Sequence, residues 1–168
     1  MELNEQELIR RQKLDELRNN GFDPFPAEKW EINTNALAIL NGFDNQPDDF
    51  KDLSHAGRIM SIRDMGKALF IVVQDAVGRI QLYVRRDDIC PEEDKKLFDL
   101  VVKKSLDIGD IIGTKGYVFR TKTGEITIHV TSLKLLAKAL RPLPVVKQDA
   151  VCNPGTNNIN LYNSITET

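Results

Sequence analysis

Strict alternation of apolar and polar residues, in two blocks with a helical pattern between them, constrains this chain more than any other feature. Over residues 58–65, 68–75 and 79–86, and again over 110–120 and 125–136, side chains change character at every second position. That is the period of a strand with one buried face. The first three runs are separated by Gly66-Lys67 and Asp75-Ala76-Val77-Gly78, and the last two by Thr121-Lys122-Thr123-Gly124. All three are short glycine-containing sequences suited to tight turns. Between the blocks, residues 91–104 begin with Pro91 and an acidic run, then place Leu97, Leu100 and Val101 at helical spacing. Proline at the first position and acids in the first turn favour a helix start at that point.

Three strands, a helix and two strands is the order of the five-stranded OB-fold barrel, whose helix lies between strands three and four. The fold class expected is therefore mainly β with α, over residues 54–147. Ahead of it, residues 4–20 carry Leu8, Ile9, Leu14 and Leu17 near helical spacing, then Gly21, Pro24 and Pro26 as stop signals. An amphipathic helix capping something larger is predicted there. The rest of residues 1–53 reads as a connector, with a short helix near 36–40.

The chain has 168 residues, 41% of them hydrophobic, enough for one domain with appendages and a real core. Cys90 and Cys152 belong to no CxxC or Cys/His cluster, which fits a reducing compartment or no constraint at all. No apolar run approaches the ~20 residues of a membrane span, and the start MELNEQELIRRQ lacks the apolar stretch of a signal peptide. A cytoplasmic protein without membrane contact is expected. The formal net charge of −2 conceals segregation: residues 57–86 carry +4, 111–147 carry +6, and the 87–110 segment between them −4. Such blocks can present a positive face to a polyanion, although ordinary surface scatter would look the same.

Alternation assigns the faces. Ile80, Leu82 and Val84 should point inward with Leu69, Ile71 and Val73, leaving Arg79, Gln81, Tyr83 and Arg85 outside with Phe70, Val72 and Gln74. Glu125, Thr127, His129 and Thr131 form a further polar face. An aromatic ring on a basic sheet face is what base stacking needs, and unpaired RNA bases are splayed out to use it. By pattern alone Phe70 is equally well a core aromatic, Gln81 a solvated strand residue, and Arg63, Arg79 and Arg85 solubilising charges. Chemistry of other kinds is missing: there is no GxGxxG, P-loop or GxSxG, and His55 and His129 have no partner at metal-ligand spacing. A binding module is expected rather than a self-contained active site.

Several runs, in order, resemble the anticodon-binding domain of bacterial class II lysyl-tRNA synthetases. They are AGRIMSIRDMGKALF at 56–70, GRIQLYV at 78–84, TKTGE at 121–125 and LAKALRPLP at 136–144. RRQKL at 10–14 and GFDPFP at 21–26 resemble the leading helix and turn of the same family. The resemblance implies that Phe70 stacks on an anticodon base, that Arg63 and Gln81 contact the central uridine, and that Glu125 lies near another anticodon base. Lys67, Arg79, Arg85, Lys115 and Lys122 would then position the RNA backbone, although solvated surface serves equally for Lys115 and Lys122.

The resemblance also implies a lysine-accepting tRNA as partner. It further implies a parent enzyme that is a homodimer and uses ATP and magnesium in a catalytic domain beyond Pro144. It ends after Lys147, and residues 148–168 are polar, Asn-rich and expected to be flexible. The chain by itself is thus expected to bind the anticodon loop as a monomer, to need no cofactor and not to aminoacylate. Two rivals remain at this stage, a sequence-indifferent single-strand binder and a protein-interaction module.

Overall fold

In the computed structural model, which describes residues 2–144, the alternating runs become β1 (Leu53–Asp64), β2 (Ala68–Gln74), β3 (Arg79–Arg85), β4 (Ile111–Arg120) and β5 (Ile126–Ala137). They close into a barrel in the order β1-β2-β3-β5-β4. Every pairing is antiparallel except that of β3 with β5. This is the expected five-stranded OB-fold. Ile59, Ile71, Val73, Leu82, Ile128 and Val130 are fully buried inside it, each contributing about 1.5–3 kcal/mol of burial. The flexible tail expected at 148–168 lies outside the described residues.

Strand β1 begins earlier than alternation alone implied, because Leu53 already pairs with Gly116 of β4. Its register slips between Ile59 and Ser61. The extra residue switches the inward side from odd to even positions, so Ile59 and Ile62 both face the core while Arg63 faces out. A bulge re-aims side chains in this way. Further along the barrel, Gly116 packs so closely on β5 that an added Cβ would lie 1.9 Å from the His129 carbonyl oxygen.

The helix expected at 91–104 requires correction. Strand β3 runs straight into a short α3 (Arg86–Ile89), and the long helix, α4 (Leu97–Ser105), starts six residues later than predicted. The acidic run is spent on turns. Asp94 accepts the Lys96 N–H at 2.9 Å, and Lys95 Nζ donates to the Cys90 carbonyl. Helix α4 is wide-turned, of π type, and buries Phe98, Val101 and Val102.

At the N-terminus, α1 (Glu5–Asn19) starts on an Asn4–Glu7 capping box and buries Leu14 and Leu17. Arg10 is also buried; its guanidinium donates to the carbonyls of Ala139 (3.0 Å) and Ile108 (2.9 Å). Beside it, Lys138 Nζ bridges Asp107 (2.7 Å) and Asp110 (2.8 Å), and Lys13 reaches Asp107 at 2.6 Å. Burial pushes the Asp107 carboxyl up, but hydrogen bonds and charge from Lys13 and Lys138 outweigh it and hold the group below its ordinary value. The network clamps the leading helix to the strand that leaves the barrel. Helix α2 (Ala36–Gly42) is placed by Asp75, which accepts the Ala36 N–H at 2.7 Å.

His55 and His129 each meet an aspartate. His55 Nε2 lies 2.9 Å from Asp75, and His129 Nε2 2.7 Å from Asp88. The partners are 20 and 41 residues away in sequence, so only the closed barrel brings them together. Burial pushes the Asp75 carboxyl up. Hydrogen bonds from the N–H groups of Ala36, Val77 and Gly78 and from His55 overcome this and leave it below its ordinary value. Among the described residues no helix is long and apolar enough to cross a membrane.

Candidate nucleic-acid interface

One transverse row of outward side chains crosses all five strands. Arg63 of β1 is opposite Phe70 of β2, Phe70 opposite Tyr83 of β3, Tyr83 opposite His129 of β5, and His129 opposite Tyr117 of β4. Directly opposed residues in neighbouring strands have Cβ atoms ~5 Å apart, so their side chains touch. The Arg63 guanidinium stands 4.9 Å over the Phe70 ring centroid. Phe70 and Tyr83 are 5.1 Å apart, and Tyr83 and His129 meet edge to face at 5.3 Å. Phe70 is partly exposed in this row and absent from the buried core, which settles the choice that pattern alone left open.

The next row along the barrel is polar at its centre. Val72, Gln81, Thr127 and Phe119 are successive cross-strand neighbours. Gln81 Nε2 donates to Thr127 Oγ1 at 3.0 Å, and this hydroxyl donates to the Glu125 carbonyl at 3.3 Å. Thr127 is fully buried, although alternation placed it on an open polar face.

The two rows wall a hollow of about 660 Å³ lined by Arg63, Phe70, Gln81, Tyr83, Phe119, Glu125, His129 and the turn 121–123. Gly124 shapes that turn with φ +92°, a left-handed value that glycine adopts without strain. Thr121 Oγ1 accepts the Glu125 N–H at 3.0 Å, leaving the Glu125 carboxylate exposed at the rim, one residue before β5 begins. The four base-contact candidates, Arg63, Phe70, Gln81 and Glu125, therefore lie around a single hollow.

The backbone candidates are more scattered. Lys122 lines the hollow. Arg79 donates to Gln74 Oε1 at 2.9 Å and borders an adjoining hollow shared with Gln81, Arg120 and Glu125. Lys67, in the β1–β2 turn, and Arg85, at the end of β3, are exposed. Lys115 lies elsewhere, 5.6 Å over the Trp30 ring and outside the hollow's lining. Tyr117 and Phe119 were missed in the sequence, and Tyr83 and His129 were placed only on polar faces. Their signal was an aromatic at alternate positions of facing strands, which becomes visible once the register is known.

A closed five-stranded barrel with a hollow of aromatic, basic and amide side chains on its β2–β3 face and β4–β5 turn defines an OB-fold nucleic-acid-binding domain. Residues 54–136 match the family model of that description, the tRNA anticodon-binding family of OB-folds. The chain is 55% identical over 149 residues to the lysine–tRNA ligase of Porphyromonas gingivalis, covering 88% of this chain and 26% of that protein. It is 50% identical over 160 residues to that of Azobacteroides pseudotrichonymphae (95% and 32%). With that of Christiangramia forsetii it shares 46% over 148 residues (88% and 25%). The chain carries an OB-fold nucleic-acid-binding domain of the tRNA anticodon-binding family and, over most of its own length, is similar to part of these lysine–tRNA ligases. It spans about a quarter to a third of the length of these curated relatives.

Proposed function

We propose that this chain reads the anticodon loop of a lysine-accepting tRNA. The observation that carries the reading is the meeting of Phe70, Gln81, Arg63 and Glu125 around one hollow. A base laid on Phe70 presents its Watson–Crick edge to the Gln81 amide, which keeps one N–H and its carbonyl oxygen free of Thr127. Uracil offers the complementary acceptor and N–H on that edge. Arg63, over the same ring, adds a guanidinium to the base or its phosphate. Lys67, Arg79, Arg85 and Lys122 serve the backbone and carry little sequence information.

Joining lysine to tRNA with ATP and magnesium, and the pairing of two subunits, belong on this reading to the parts of the ligase that this chain does not span. The chain acts as a cytoplasmic, monomeric RNA-binding unit, and sedimentation as a dimer would refute the monomer.

The test is a titration, at two salt concentrations, of a lysine-tRNA anticodon stem-loop against the same loop with its central uridine changed to cytidine. Discrimination of about 1–3 kcal/mol is expected, on the scale of one lost base contact. Equal, salt-sensitive affinities would leave a sequence-indifferent barrel. No binding to either would overturn the reading.

A further inference from the structure

The row of rings does not stop at the hollow. Beyond Tyr83 and His129 it ends at Tyr117, which is 40% exposed and does not line the hollow. The Tyr117 and His129 rings are stacked, 4.8 Å apart and 11° from parallel. His129 is fixed from several sides: Tyr83 and Phe119 meet it edge to face at 5.3 and 5.7 Å, and Asp88 holds Nε2 at 2.7 Å. On its other side Tyr117 has no flanking strand, because the β4 pairing with β1 runs from Ile111 only as far as Gly116.

A lone exposed tyrosine on a protein surface needs no explanation. This one is different: it forms half of a preformed stack, continuous with the ring row of the hollow and open at its outer end. Its partner ring cannot swing away without breaking the contact to Asp88. A ring held in this way loses little freedom when a further ring is laid on it, which favours binding.

We propose that the Tyr117–His129 stack is a second stacking position, taking an unpaired base of the same RNA loop other than the one on Phe70. The inference rests on the anticodon-loop reading above. Phe70 and Tyr117 are three strand steps apart, ~14 Å along the sheet. Stacked nucleotides rise only ~3.4 Å along a strand. The base on Tyr117 is therefore not stacked directly on the base at Phe70, but a loop base flanking it, splayed across the barrel. Stacking reads no base edge, so the position adds affinity and fixes the path of the loop without strong base preference.

The experiment places 2-aminopurine singly at each loop position of the stem-loop outside the central base. Fluorescence and affinity are then followed with the wild-type chain, Tyr117→Ala, Tyr117→Phe and Phe70→Ala. Expected is one flanking position quenched on binding, the quench lost and affinity reduced about five- to tenfold in Tyr117→Ala, and both kept in Tyr117→Phe. Retention in Tyr117→Phe separates ring loss from misfolding. If Tyr117→Ala leaves every quench and the affinity unchanged while Phe70→Ala weakens binding, the second position does not exist and the anticodon reading survives. If Phe70→Ala is also without effect, the reading itself fails and this inference fails with it.

Discussion

The Gln81 amide nitrogen sits 3.0 Å from Thr127 Oγ1, and that hydroxyl gives its own proton to the Glu125 carbonyl. A carbonyl only accepts, so the hydroxyl must accept from Gln81, and the amide cannot flip without losing its partner. The carbonyl oxygen of Gln81 is thereby left for the ligand. That orientation complements the N3–H of uracil and opposes the bare N3 of cytosine. Thr127→Val keeps the shape but removes the lock. It should lower uridine-over-cytidine discrimination by about 1 kcal/mol, the worth of one hydrogen bond, while Thr127→Ser keeps it. Stem-loop titrations with each base check this, and unchanged discrimination in Thr127→Val would refute the lock.

Phe70→Ala should weaken anticodon-loop binding by about 1–3 kcal/mol, the worth of one base stacked on an aromatic ring. Its core neighbours Leu69 and Ile71 are untouched, and Phe70 is itself partly exposed. Stability should therefore fall much less than for a core deletion. Equal binding with and without the ring would remove the stacking role.

Lys67 stands exposed in the β1–β2 turn and does not line the hollow. Lys67→Ala should weaken every stem-loop alike and reduce the slope of log affinity against log salt by about 1. A change in base preference with an unaltered slope would show that Lys67 reads sequence instead.

The barrel and the faces of β2 and β3 were legible in the sequence because burial on one side of a strand writes itself as alternation. Phe70, Gln81 and Glu125 could be placed on outer faces for the same reason, whereas Arg63 was named through the family resemblance. What was not legible depends on register. The bulge after Ile59 decides that Arg63 faces out, yet no residue type announces it. Pairing across strands joins Tyr83, His129 and Tyr117, which are far apart in the chain. Residues 91–94 looked like a helix start because proline and acids favour one, but the strand exit at Arg86–Ile89 and the turn contacts of Asp94 and Lys95 claim that segment. No local pattern marks Arg10 and Lys138, which are buried by carbonyls and carboxylates that approach from distant elements.

Lys138 carries the last prediction. Its side chain is fully buried against Asp110, which is fully buried too, and it shares Asp107 with Lys13. Lys138→Met keeps the packing volume but strands a carboxylate in the interior, which should cost about 3–5 kcal/mol at neutral pH. The pH dependence has a definite sign. Asp107 and Asp75 are held below their ordinary values in the folded chain. Their stabilisation is complete above the ordinary carboxylate value of ~3.9 and is lost as pH falls through the lower folded-state values. Wild-type stability should thus be flat, as far as these groups go, above about pH 5 and fall below about pH 4. In Lys138→Met, Asp107 loses one of the two lysines that hold it below its ordinary value, so the gap from wild type should be widest at pH 7 and shrink toward pH 3. Urea unfolding at both pH values measures it. A gap of equal size at the two would mean that Lys138 acts by packing alone.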